Sequence, residues 1–286
     1  MALTWPIVGA VLLGALLHAS WNALIKAGPD KALETALMRS LGFFVALPIV
    51  LAIGVPQAAA WPWLLASVAV HVVYYATLSG AYEHGDLGLT YPIMRGAAPL
   101  LVALASGRLI GETVALPTWL GVAGISAGVL MVGMSRSSSG SASHGRAVGF
   151  ALVNALTIAT YTIVDGIGVR TAGDASRYVA TLFILNGLPW FAVVMWRRGA
   201  GRRAAWHYMK QRWRPALAAT LASAGSYGVA LWAMTQAPVA AVAALRETSV
   251  LFAALIGARW LKEGFGARRA AGTALIVGGV VALRVL

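Results

Sequence analysis

Apolar runs of about 20 residues follow one another along almost the whole chain. At a rise of about 1.5 Å per residue, a helix of this length crosses the hydrocarbon core of a bilayer. The runs are rich in Ala, Leu, Val and Gly and lack the alternation of a transmembrane strand, which favours helices over a barrel. Ten such runs lie at 5–25, 35–54, 61–82, 87–106, 116–134, 147–168, 178–196, 215–236, 239–258 and 270–285. The sequence therefore predicts an all-α, polytopic membrane protein with ten transmembrane helices.

The composition agrees with that class. Hydrophobic residues make up 59% of the chain and charged residues 11%, against roughly 45–50% and 25% in soluble domains. The absence of cysteine excludes disulfides and thiolate metal sites. The formal net charge is +13, but the basic residues fall mainly between the apolar runs, where they anchor membrane proteins. Nucleic-acid binding is therefore not expected.

The two halves of the chain resemble each other at their few charged positions. When the sequence is shifted by 151 residues, Arg95, Arg108 and Glu112 fall on Arg246, Arg259 and Glu263. Charged residues are scarce here, so these matches are more informative than matches of Leu or Ala. A shift of 140 residues also places the segment 19–22 on 159–162.

This similarity predicts two repeats, at residues 1–134 and 147–286, joined by a Ser/Gly-rich linker at 135–146. Each repeat holds five spans. Because five is odd, the halves enter the membrane in opposite senses and form an inverted repeat, the arrangement of many alternating-access transporters.

Ten spans in two related halves, with Gly111-Glu112 and Lys262-Glu263 at the ends of the fourth and ninth, resemble the EamA-type branch of the drug/metabolite transporter superfamily. The segment Leu17 to Lys26 resembles a subset of that branch that includes phosphonate-associated permeases. The likeness covers nearly the whole chain. It implies a secondary exporter or permease of small metabolites, commonly amino acids or their relatives, with a central cavity between the halves. It carries over no individual binding residue.

Arg95 and Arg246 lie well inside their apolar runs, at depths of roughly 12 Å by helix rise. A guanidinium stays charged and is costly in hydrocarbon, so each predicts a polar interior between helices, by default a substrate pathway. Its planar fork matches the acidic group of a zwitterionic or anionic solute. The alternative is that each arginine pairs with a carboxylate to stabilise the fold. Glu247 adjoins Arg246 but points about 100° away on a helix, so these two neighbours need different partners.

Other polar and aromatic residues share helix faces inside the spans, at spacings of three, four or seven. Those predicted to bind substrate beside the arginines are Trp21, Asn22, Tyr75, Tyr91, Tyr161 and Trp232. His18, Asp165 and Glu247 are the candidates for proton exchange. The alternative for His18 is an interhelical hydrogen bond, and Asp165 is close enough to a span end to reach the interface.

Two local features carry further expectations. Pro92 and Pro99 fall in one span, and because proline removes an amide donor they predict a break or bend there. Glu112 and Glu263 each follow an arginine by four residues, which predicts pairing along the helix with Arg108 and Arg259.

Enzyme function is not expected. The sequence has no HExxH and no GxxxxGK[ST] phosphate loop, and its five histidines are scattered. Its one GxSxG match, at 124–128, lies within the fifth apolar run and not at the strand-to-helix turn of a nucleophile elbow. No metal or other cofactor is predicted. The alternative to a transporter is an intramembrane lipid-modifying enzyme that uses His18 and Glu247 without a known motif.

The distribution of basic residues predicts the topology of a cytoplasmic (inner) membrane protein. Fifteen Lys and Arg residues lie on the side of the connections after odd-numbered spans, and four lie on the other side. The positive-inside rule therefore favours external termini, against the expectation from the resembling family. Within the basic segment 197–214, Trp and Tyr interleave with the charges, which predicts contact with anionic lipid head groups.

Overall fold

Long helices account for most of the protein. The computed structural model describes residues 3–84, 87–133, 144–261 and 267–285, and no strand occurs within those ranges. The all-α prediction is confirmed. The helices are α1 (Trp5–Ala27), α2 (Lys31–Ile53), α3 (Trp61–His84), α4 (Leu87–Leu109), α5 (Leu116–Gly133), α6 (His144–Thr171), α7 (Ala175–Arg198), α8 (Arg202–Gln236), α9 (Val239–Arg246), α10 (Ser249–Leu261) and α11 (Ala267–Val285).

The helices have the length and composition of membrane spans. Over the described ranges, six helical segments are long and apolar enough to cross a bilayer, and one of them, Ala175–Gln236, contains both α7 and α8. Leu116–Val132 and Ala270–Val285 are shorter apolar helices. The chain is therefore an integral membrane protein, and the count of ten spans stays a prediction. Most of the predicted linker at 135–146 lies outside the described residues, as do Glu263 and the side chain of Arg259.

Matching caps start the second helix of each predicted repeat. Asp30 precedes α2, and its carboxylate accepts the backbone N–H of Leu33 at 3.1 Å. Asp174 precedes α7, and its carboxylate accepts the N–H of Arg177 at 2.9 Å. An aspartate at this position satisfies one of the free amides of the first turn and favours the positive end of the helix dipole. The sequence thus fixes the start of both helices locally.

The most extensive helix contacts cross from one half of the chain to the other. α1 packs on α8, α3 on α6, α2 on α7, and α5 on α11, while α4 contacts α9. If each helix of the first half is exchanged for its counterpart in the second, this set of pairs is unchanged. The core of the protein is therefore built between the halves, which places residues from both around its centre.

The α5–α11 contact depends on glycine. A Cβ at Gly128 would lie 2.6 Å from the carbonyl oxygen of Gly272, and a Cβ at Gly279 would lie 2.7 Å from that of Gly121. Because lipid supplies no hydrophobic driving force between helices, close backbone approach at small residues is a main source of packing energy. These glycines allow the two terminal helices of the halves to meet.

The span that contains Arg246 is interrupted at that residue. α9 ends at Arg246 and α10 begins at Ser249. The turn between them uses short-range bonds from Glu247 N–H to the oxygen of Ala244 and from Thr248 N–H to that of Leu245. The Thr248 hydroxyl also donates to Leu245 O at 2.7 Å, an alternative to the helical pattern that threonine readily offers.

The break predicted at Pro92 and Pro99 does not occur, because α4 continues as a helix through both prolines. The chain is interrupted instead in the ninth span, which has no internal proline. Packing of α4 against α5, α6 and α9 holds the helix where its own hydrogen bonds are missing.

Candidate functional site

A cavity lies at the centre of the helix bundle, and both halves line it. It is lined by His18 and Trp21 of α1, Arg39 of α2, His71 and Tyr74 of α3, Arg95 of α4, Tyr161 of α6, Leu182, Phe183 and Asn186 of α7, Ser223, Ser226 and Tyr227 of α8, and Arg246 of α9. Its volume is about 50 Å³, which holds a few water molecules. Sites for metabolites are typically about 300–1,000 Å³, so a solute requires a wider state of this cavity.

Arg95 forms an ion pair with Glu247 across the two halves of the chain. Arg95 Nε lies 2.7 Å from Glu247 Oε2, and both side chains are buried. The N–H does not point along this line, and Arg95 Nη2 has no hydrogen-bond partner among the described residues. The charge of Arg95 is therefore compensated, while its Nη2 remains an unused donor in a residue that lines the cavity.

Arg246 is held differently from its counterpart. Its guanidinium carbon lies 5.2 Å from the centre of the Tyr227 ring, a cation–π contact, and the residue is 8% exposed. Within the part of the chain that the structure describes, no carboxylate lies within ion-pairing distance of it. The Tyr227 ring is therefore the close partner of Arg246, while the carboxylates of Asp165 and Glu247 interact with its charge without direct contact.

Asp165 lies behind Tyr227 and is fully buried. Its carboxylate accepts a hydrogen bond from the Tyr178 hydroxyl at 2.8 Å and a short one from the Tyr227 hydroxyl. The alternative that the Asp165 side chain reaches the membrane interface is therefore wrong, because the carboxylate is enclosed within the bundle. Through Tyr227, the carboxylate is one side chain removed from Arg246.

Arg39 is a lining residue that the sequence analysis missed. Its guanidinium carbon lies 5.3 Å from the Tyr75 ring centre, and Tyr75 stacks on Trp190 at 4.9 Å. Arg39 Nε is buried and has no hydrogen-bond partner among the described residues. Arg39 stands only four residues inside its apolar run, so it was not distinguished from an interfacial residue. The sequence could have indicated Arg39 as a site residue, because it is a charged residue inside an apolar run that continues to residue 54.

Aromatic rings form much of the cavity wall. His71 stacks on Tyr161 with ring centres 4.6 Å apart, and His18 meets Trp21 edge to face at 5.0 Å. His71 Nδ1 donates to the carbonyl oxygen of Ser67 at 2.8 Å, which leaves Nε2 as the acceptor nitrogen. These rings offer flat surfaces for a planar or apolar part of a solute.

Four of the predicted substrate-binding residues line the cavity, and the other four do not. Arg95, Arg246, Trp21 and Tyr161 are lining residues. Tyr75 is buried behind Arg39, and Tyr91 packs among core residues. The side-chain amide of Asn22 donates to the oxygen of His18 within α1, at 2.8 Å. Trp232 is 42% exposed, because it follows Tyr227 by five residues and so faces the opposite side of α8.

A polar cluster lies where the C-terminal ends of α4, α6 and α8 meet the start of α9. Glu112 accepts the Arg170 guanidinium at 2.6 Å and the N–H of Val239, the first residue of α9, at 3.0 Å. Arg170 also donates to the oxygens of Met234 and Ala237. The prediction that Glu112 pairs with Arg108 is wrong, because the C-terminal end of α8 and the N-terminal end of α9 supply groups that need these partners. We refer to these contacts as the Glu112 cluster.

A second polar cluster lies at the opposite ends of the helices, where α1, α2, α7 and α8 meet. Arg198 contacts Asp30 at 2.5 Å, and Arg212 contacts Glu34 at 2.6 Å. The Tyr208 hydroxyl donates to Glu34 at 2.7 Å. We refer to these contacts as the Glu34 cluster. The two clusters lie at opposite ends of α8, because Arg212 is near its start and Ala237 directly follows its end.

Part of the basic segment 197–214 forms the start of α8. α8 has 35 residues and is about 52 Å long by helix rise, which exceeds the roughly 30 Å hydrocarbon core. Its basic first turns therefore extend beyond the span. Trp196, Trp206 and Trp213 are exposed on or beside this segment, and Arg214 lies over the Trp213 ring. Side chains able to hold a metal ion do not cluster anywhere in the described ranges.

Comparison with known proteins gives two matches. The model of the EamA-like transporter family matches residues 145–285. A solved structure described as "Crystal structure of protein" is similar with a TM-score of 0.72 at 18% sequence identity, over 96% of this chain and 94% of that chain. At this identity the likeness concerns the fold. A search of curated proteins found no match.

Proposed function

From the EamA-like transporter family domain at residues 145–285, which places the chain in the drug/metabolite transporter superfamily, we propose that the protein is a secondary-active transporter. We propose that it is an exporter or permease of small zwitterionic or anionic metabolites, such as amino acids or related compounds. The observation that supports this most is one central cavity lined by three arginines from both halves of the chain. Charged groups inside a membrane protein are costly, and they commonly pair with one another or mark a substrate pathway.

The cavity supplies the chemistry for such a solute. Guanidinium groups bind carboxylates and related acids through paired hydrogen bonds, and both Arg39 and Arg95 have unused donors. The rings of Trp21, Tyr161 and Tyr227 then hold the remaining part of the molecule. His18, Asp165 and Glu247 are the proposed sites of proton exchange, since all three lie in or next to the cavity wall.

We further propose that transport proceeds by alternating access between inverted repeats at 1–134 and 147–286. Two observations support this. The set of helix contacts between the halves is unchanged when each helix is replaced by its counterpart, and the caps at Asp30 and Asp174 match. The Glu112 cluster and the Glu34 cluster join helices on opposite sides of the cavity. Opening toward one side requires the contacts of that side to separate while those of the other side hold.

The proposed location is the cytoplasmic membrane, with the termini outside and the Glu34 cluster on the cytoplasmic side. The basic residues at 197–214 lie on that same side, beyond the end of the span in α8. We propose that they contact anionic head groups, to which positive side chains near the surface are attracted by about 1 kcal/mol each.

The test of transport is a comparison of metabolite uptake and export in cells with the intact protein and with Arg95→Ala or Arg246→Ala. Arg177→Gln is the matched control, because Arg177 is exposed at the start of α7 and does not line the cavity. We expect altered flux of at least one acidic metabolite in both cavity variants and an unchanged spectrum in the control. Unchanged flux in both cavity variants would reassign these arginines to structural roles.

A further inference from the structure

The cavity has more basic than acidic side chains around it, and this excess indicates the class of solute. Arg39, Arg95 and Arg246 line it. Glu247, in an adjoining recess, is paired with Arg95. Arg39 and Arg246 each lie over a tyrosine ring, and neither has a carboxylate partner among the residues that the structure describes. Two guanidiniums are thus without a direct acidic contact, and each can form one with an acidic group of a solute.

The same walls lack a free acidic group for an ammonium. Glu247 is occupied by Arg95, and Asp165 by the hydroxyls of Tyr178 and Tyr227. Those two hydroxyl hydrogen bonds stabilise the carboxylate without cancelling its charge, so Asp165 reduces the positive excess of the site but does not remove it. Over the described part of the chain, the cavity therefore disfavours a zwitterion relative to an anion.

Arg39 and Arg246 are separate anchor points. Arg39 contacts Tyr75, which meets Tyr74 at 5.1 Å, and Tyr74 meets His71 at 6.4 Å. His71 in turn meets Tyr227 at 6.5 Å, and Tyr227 carries Arg246. A series of aromatic contacts thus links the two tyrosine rings over which the guanidiniums lie. The two guanidiniums come from α2 in the first half and α9 in the second, and each lies over a different tyrosine ring.

We propose that the solute is a short organic dianion with its two acidic groups at separate ends, one bound by Arg39 and the other by Arg246. The proposal rests on the proposed transport function and replaces its broad solute class with a narrow one. Arg95, whose charge Glu247 already compensates, is then a secondary donor. The small volume of the cavity favours a chain of a few carbon atoms between the acidic groups, since each added atom demands further widening.

A charge series of similar size tests this in purified protein. The probes are succinate with two separated carboxylates, succinamate with one, 4-aminobutanoate as a zwitterion, and propylphosphonate with its charge on one group. Binding is measured by calorimetry and by tryptophan fluorescence, since Trp21 lines the cavity. We expect succinate to bind about tenfold more tightly than each of the others, as a second charge-assisted contact implies.

Variants then assign the two anchors. Arg39→Gln and Arg246→Gln should each bring succinate affinity down to about that of succinamate, while Arg39→Lys keeps part of the preference because it keeps the charge. Arg177→Gln should match the intact protein. Each variant is first checked for a monodisperse elution profile, so that loss of fold is not read as loss of binding.

The outcomes are distinct. Equal binding of succinate and succinamate, tighter binding of 4-aminobutanoate or propylphosphonate, or no binding of any probe would overturn the dianion assignment. If another metabolite still moves in the cell assay, the transport function stands without it. If succinate binds through both arginines but is not exchanged across proteoliposomes, the assignment of the site stands and the transport function fails.

Discussion

Arg95 and Glu247 form a buried ion pair, 2.7 Å from Nε to Oε2, that joins α4 of the first half to the α9–α10 turn of the second. In the shifted alignment Arg95 corresponds to Arg246, but Glu247 corresponds to Gly96. A side chain at position 96 would lie 2.8 Å from Leu130, so α5 leaves no room for a second carboxylate there. The repeat is therefore symmetric in its arginines and asymmetric in its acids. Arg95 has a direct carboxylate partner, and Arg246 has none among the residues that the structure describes.

Loss of the carboxylate at Glu247 should destabilise the protein. Glu247→Gln leaves the Arg95 charge buried without its partner, which typically costs about 3–5 kcal/mol. Thermal unfolding in detergent should show a clear decrease, and the double variant Arg95→Gln/Glu247→Gln should recover much of the loss. Equal stability of Glu247→Gln and the intact protein would contradict a stabilising ion pair.

The glycine contact of α5 and α11 should be intolerant of a single methyl group. Gly279→Ala places a Cβ 2.7 Å from the oxygen of Gly121, and overpacking of this kind costs about 1–3 kcal/mol. Its neighbour Gly278 has open space, so Gly278→Ala on the same helix is the control. Unfolding in detergent should separate the two variants. If both unfold alike, the helices do not approach as closely as described.

Separation of the Glu112 cluster should expose the cavity. The chain has no cysteine, so Ser226→Cys supplies a single label site in the cavity wall. We expect Glu112→Gln or Arg170→Gln to increase labelling by a membrane-impermeant maleimide added on the side of the Glu112 cluster. Arg177→Gln, on that same side, should leave the rate unchanged. A rate unaffected by all three changes would remove the cluster from the access pathway.

Proton coupling through Asp165 predicts a specific defect. Asp165→Asn removes the charge and weakens both tyrosine hydrogen bonds, so uptake into proteoliposomes should no longer respond to an imposed pH difference. Tyr178→Phe removes one hydrogen bond but keeps the carboxylate, and should keep the response. Uptake by the intact protein that ignores the pH difference would exclude coupling to protons altogether.

The charge bias of the loops predicts external termini. A reporter that is active only outside the cytoplasm should be active when fused after Leu286, whereas a reporter that requires the cytoplasm should be inactive there. Activity in the reverse pattern would show that the basic segment at 197–214 lies outside, against the positive-inside rule.

The sequence predicted the class of fold well because that class follows from composition and run length alone. The helix boundaries at Asp30 and Asp174 were likewise local, since a cap acts within one turn of its own helix. The break expected at Pro92 and Pro99 does not occur, for the converse reason. Whether a helix survives a missing hydrogen bond depends on the helices packed around it, and these are distant in sequence.

The sequence by itself determined that this chain enters a membrane as helices, and that two arginines would need a polar interior, because the cost of charge in hydrocarbon applies whatever the fold. Only the tertiary structure decided what surrounds each of them. It brought Glu247 to Arg95, the Tyr227 ring to Arg246, and Arg39 into the same cavity. These contacts join residues from opposite halves of the chain, and contact across that separation depends on how the helices pack, which no local pattern encodes.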